Sequence, residues 1–153
     1  MPVRPHAVPV LLVLLLGTAC SNDDPTTSPS GYPIAYATNA CGPADGPATR
    51  LYLTADSVDG LPSDVPRIEI GIYKDVSELQ GRSFSLGKST ADGWAGRCPA
   101  QGTCETAESA DVTFRRSAAD TLLSGTVQLR FPDGTTVSGG FHAEWRRTQQ
   151  LCG

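Results

Sequence analysis

The 153-residue sequence has little of what most metal centres and hydrolases are built from: two histidines, His6 and His142, and no C-x-x-C pair among five cysteines. The second absence removes the usual ligand spacing of a structural zinc site. No G-x-S-x-G nucleophile elbow occurs, and the fragments S-G-G and G-K-S-T lack the rest of a phosphate-binding loop. Positive charge is also short: 12 Lys+Arg against 16 Asp+Glu leave a formal charge of −4. With no basic stripe, neither nucleic acid nor an anionic lipid surface is an electrostatic partner. No internal repeat occurs, and no cofactor is implied. The apolar run Val10–Leu16 ends at Gly17, far short of the roughly 20 residues a spanning helix needs.

What is present begins at the N-terminus. Arg4 precedes the apolar run, and Gly17, Thr18 and Ala19 follow it. That is the layout of a cleaved secretory signal. The stretch LLGTACSNDD then places a cysteine between small residues and an acidic, polar segment. An odd cysteine count in an exported chain leaves one thiol without an internal partner, and Cys20 is the natural odd one out.

Residues 1–24 resemble the signal of bacterial lipoproteins, the lipobox, with Leu16 one residue earlier than the usual leucine. The resemblance implies cleavage before Cys20, a lipid on its sulfur and membrane attachment through acyl chains alone. Ser21 after the cysteine resembles an outer-membrane rather than an inner-membrane sorting signal. The expected address is therefore the cell envelope.

The segment after Cys20, SNDDPTTSPSG, holds two prolines and almost nothing apolar, so residues 20–31 read as the lipidated cysteine and a flexible tether. Residues 32–153 suffice for one domain. Period-2 alternation dominates it. RIEIGIYK sets Ile68, Ile70 and Ile72 on one face with Arg67, Glu69, Gly71 and Tyr73 on the other, and RLYLT does the same with Leu51 and Leu53.

Further strands are expected at 32–38, 82–86, 111–116, 121–131 and 135–147. One short helix is expected at 75–81, with Asp75 as cap, Glu78 closing a capping box and Gly81 as terminator. Seven strands parted by Gly, Pro and Asp turns predict an all-β, antiparallel sandwich, with a lipocalin-like closed barrel as the alternative.

Register is readable at the C-terminal hairpin. A two-residue Asp133-Gly134 loop would oppose an inward Phe131 to an outward Thr136, and cross-strand partners share a face. A three-residue loop, with Pro132 and Asp133 in a type I turn and Gly134 left-handed, instead pairs Leu129 with Val137. Val127, Leu129, Val137, Phe141, Ala143 and Trp145 then share an apolar face. On the other face Ser124 opposes His142, and Asp120 opposes Arg146.

Four cysteines remain for two disulfides. Cys98 and Cys104, in GRCPAQGTCE, can meet through a local turn, which leaves Cys41 for Cys152. Ser124, His142 and Glu144 superficially assemble a hydrolase triad, but the bland reading is a polar ladder on an exposed hairpin, and no catalytic residue is assigned. Asp56, Asp59 and Asp64 offer calcium-type oxygens without EF-hand spacing, so no metal is assigned. Trp94 is expected to pack over the core. The expected function is a non-enzymatic envelope lipoprotein that binds an envelope protein or ligand or serves a structural role; the alternative is a secreted hydrolase-like enzyme using Ser124, His142 and Glu144.

Overall fold

The computed structural model describes residues 27–88, 90–116, 122–148 and 152. The signal segment, Cys20, Asp120 and its expected pairing with Arg146 lie outside the described residues. Among the described residues nine strands form: β1 Ile34–Cys41, β2 Pro47–Thr54, β3 Arg67–Ile72, β4 Ser83–Gly87, β5 Gly93–Cys98, β6 Glu105–Thr106, β7 Ser109–Phe114, β8 Leu122–Arg130 and β9 Thr136–Trp145. The mostly-β class is as expected.

The arrangement differs from two stacked sheets. All nine strands join one sheet in the order β4-β7-β8-β9-β1-β2-β3-β5-β6, curled into a half-barrel. It is also not wholly antiparallel, because β1 pairs with β9 in parallel through Ala35 with Ala143 and Ala37 with Trp145. Both departures have one cause: alternation assigns each residue to a face and says nothing about which strands are neighbours.

The run 105–114 links the two sides of the curl. Ala107 N–H donates to Ala95 O in β5 at 2.9 Å, and Glu108 N–H donates to Arg130 O in β8 at 2.8 Å. The chain is thus handed from one side of the sheet to the other within two residues.

The apolar faces converge inside the curl, where Leu53, Ile68, Ile70, Val112, Leu129, Phe131 and Ala143 are all fully buried. Phe114 packs edge-on against Phe84 and Phe141, with centroids 6.0 and 5.7 Å apart. Such T-shaped contacts add to the area term.

The C-terminal hairpin has the register the loop argument requires: Leu129 faces Val137, Gln128 faces Ser138, Arg130 faces Thr136 and Ser124 faces His142. Gly134 sits at φ +81, and Phe131 N–H donates to Thr135 O at 2.9 Å. The expected helix is smaller than its sequence suggested. Val76–Glu78 form a single 3₁₀ turn capped by Asp75, whose Oδ1 accepts from Ser77 N at 2.9 Å, while Glu78 pairs with Lys74 at 4.0 Å instead of closing a capping box.

The packed chain begins before Tyr32. Pro29 is buried, and Gly140 N–H donates to Thr27 O at 2.8 Å. Gly139 makes this possible, since a Cβ there would lie 2.7 Å from Pro29 N and 2.8 Å from Thr27 O.

Candidate functional site

Two strands that alternation did not disclose, β5 and β6, border a concave end of the molecule. Toward the interior β5 offers Ala95 and Arg97, set opposite Ile70 and Ile68. A small residue and a cation leave no hydrophobic signal to read. Arg97 lies over the Phe131 ring at 4.6 Å and pairs with Asp133 at 2.9 Å and with Glu105. Hydrogen bonds to Asp133 and then Glu105 push its pKa up, so the guanidinium stays charged.

Beside Arg97 opens a cavity of about 420 Å³, lined by Tyr32, Pro66, Cys98, Pro99, Thr103 and Glu105. The volume suits a small molecule. Tyr32 comes from the docked N-terminal segment, which ties this end of the domain to the chain leading in from Cys20.

Outside the curl, next to the cavity, lies a buried carboxylate. The alternation in RIEIGIYK sends Glu69 outward as expected, yet it is only 6% exposed. Arg50 Nε approaches its Oε1 at 3.3 Å, while Arg67 places Nε and a terminal nitrogen each 3.1 Å from Oε2. Two guanidiniums offset the desolvation of the carboxylate that a single partner would leave uncompensated. Burial and then the Glu69 charge push the neighbouring Tyr52 phenol up. The signal for this cluster was the R-x-E spacing on a strand, which places both charges on one face.

Cys98 follows on the same outer face, with Sγ 3.7 Å from Glu69 Oε2 and a bond to Cys104, six residues on. The second disulfide joins Cys41 to Cys152 across 111 residues. Trp94 does not enter the core. It lies half-buried on the outside, against Gly71 and 5.9 Å from the Arg50 guanidinium, because the parity of β5 sends Ala95 inward and Trp94 outward.

The loop 55–66 folds back over the outer face instead of gathering its acids. Tyr36 Oη receives the Val58 N–H at 3.2 Å and lies 3.3 Å from Ser57 Oγ; Arg146 stacks on the Tyr36 ring at 3.7 Å and donates to the carbonyls of Val58 and Gly60. Burial raises the Tyr36 pKa, but the contacts to Ser57, Val58 and Arg146 outweigh it and the net shift is downward. Asp56, Asp59 and Asp64 are exposed. Among the described residues the cluster of metal-capable side chains is Glu69, Cys98 and Cys104, none of them in that loop.

Ser124 and His142 are cross-strand neighbours on the outer face, with His142 exposed and Ser124 half-buried. No side-chain hydrogen bond joins them, and Glu144 turns to Arg146 at 3.7 Å. A nucleophile, base and orienting acid need to be linked in series, and these three are not.

No protein-family model matches the chain, and no curated protein or solved structure matches it.

Proposed function

We propose that this chain is a cell-envelope lipoprotein, anchored by lipid on Cys20 to the outer rather than the inner membrane, whose small β domain has a non-enzymatic binding role. The observation that carries the reading is the cysteine pairing. Cys41 with Cys152 and Cys98 with Cys104 account for four of the five cysteines, which leaves Cys20, at the end of the signal-like segment, for chemistry outside the domain.

In this reading the domain sits close to the membrane. Thr27 is already held against β9, so the link to it from Cys20 spans at most about 25 Å at roughly 3.6 Å per residue. The cavity lined by Tyr32, Arg97 and Cys98 is the place for a small, largely apolar ligand, as in the mouth of a lipocalin-like barrel.

Mass spectrometry of the membrane-extracted protein tests the anchor. Acyl mass on Cys20 is expected, and Cys20→Ala should release or misprocess the chain. A soluble, unmodified chain beginning at residue 20 would overturn the proposal.

A further inference from the structure

We propose that reduction of the Cys98–Cys104 disulfide turns this corner of the molecule into a binding site for a thiophilic divalent cation, zinc by its ligand set, held by two thiolates and the Glu69 carboxylate. The ligand atoms of Glu69, Cys98 and Cys104 already lie within 4.8 Å of one another. Two sulfurs and one carboxylate oxygen, with a fourth position left to water, are a set that suits Zn²⁺ better than hard cations or copper(I).

The surroundings favour the charge this requires. Glu69 is 6% exposed and Cys98 1%, so the first two ligands are held in a poorly solvated wall. Two thiolates and a carboxylate on a divalent ion leave one net negative charge, and the guanidiniums of Arg50 and Arg67, already on Glu69, offset it. These arginines hold the carboxylate in place, as hydrogen-bonded partners of a ligand do in metal sites. The cavity of about 420 Å³ touches Cys98 and supplies an entry path. The other disulfide has no such company: neither Cys41 nor Cys152 belongs to a metal-capable cluster among the described residues.

Opening the site requires a dithiol reductant. Its thiolate attacks the sulfur of Cys104, which is half-buried where Cys98 is buried, and Cys98 leaves as thiolate. The second reductant thiol then attacks the mixed disulfide and releases Cys104. The two electrons end on the protein sulfurs and the reductant ends as a disulfide. The metal displaces the remaining thiol protons as it binds. The pair, a disulfide in an oxidising compartment, thereby couples metal binding to thiol supply.

The test uses the mature protein, reduced with a water-soluble phosphine, supplied with zinc and then alkylated. Peptide mass spectrometry should show Cys98 and Cys104 protected while Cys41 and Cys152 are alkylated. Cobalt(II) in place of zinc should give a thiolate-to-metal charge-transfer band. Glu69→Gln should weaken cobalt binding at least about tenfold, and Cys104→Ser, at a half-exposed loop position, should abolish the band. Protection of all four cysteines, of none, or of Cys41 and Cys152 alone would overturn the proposal, as would unchanged cobalt affinity in Glu69→Gln. Should Glu69→Gln fail to fold by circular dichroism, a charge-transfer band of full strength in Cys104→Ser would overturn it equally. None of these outcomes depends on whether Cys20 carries a lipid.

Discussion

Asp133 shows how much local order one exposed side chain supplies. Its carboxylate accepts from the Thr135 hydroxyl, pairs with Arg97 and accepts from Thr135 N–H, and these contacts hold its pKa well below the ordinary carboxylate range. A carboxyl depressed in the folded state stabilises above its unfolded pKa of about 3.9, and that stabilisation is lost as pH falls through the lower folded value. Melting between about pH 5 and about pH 2 should therefore fall more steeply for the wild type than for Asp133→Asn. His142 and Ser124 are the opposite case. With no hydrogen bond between them, His142→Ala and Ser124→Ala should each change stability by less than about 0.5 kcal/mol in urea unfolding, and neither should remove a measurable activity. A lost activity would revive the hydrolase reading.

The hairpin β8–β9 and the segment docked on it separate two reasons for glycine. At Gly134 the backbone is left-handed, with nothing within 4 Å of an added Cβ. Gly134→Ala should cost only the conformational penalty, about 1 kcal/mol. At Gly139, where φ is also positive at +152, an added Cβ would in addition meet the backbone of Thr27 and Pro29 below 3 Å, so the N-terminal segment must move. Gly139→Ala should cost about 2 kcal/mol or more, with faster amide exchange at Gly140, whose N–H the segment holds. Equal effects from both substitutions would show that the segment contributes nothing to the fold.

The whole molecule is tied by one long covalent loop and one short one. Cys41–Cys152 closes 111 residues and Cys98–Cys104 closes six. In the chain-entropy model these contribute about 4 to 5 and about 2 kcal/mol respectively. Replacing Cys41 and Cys152 together by serine should lower stability by more than the same replacement of Cys98 and Cys104, as read from denaturant midpoints. The opposite ranking would mean that the short bridge supports packing around Glu69 beyond its loop. The long bridge also brings the chain end beside β1, where Thr148 N–H donates to Asn39 Oδ1 at 3.1 Å.

Local chemistry was enough to read which segments are strands along most of the chain, the inward set Ile68, Ile70 and Ile72, and the register from Leu129 with Val137 through Ser124 with His142. Each rests on a period of two or on a turn of a few residues, and both are written in consecutive positions. Locality and elimination likewise singled out the cysteine pairs that the structure carries. β5 stayed hidden because its inward positions are Ala95 and Arg97, and β6 because it is two residues long. Only the tertiary structure decided that the strands form one curled sheet, that β1 lies parallel to β9, that Trp94 stays outside, and that Glu69 is buried beside Cys98 between Arg50 and Arg67. Alternation specifies which way a side chain points but not what lies across from it, and this outward carboxylate is buried only once Arg50 of the neighbouring strand and the Cys98 disulfide join Arg67 around it.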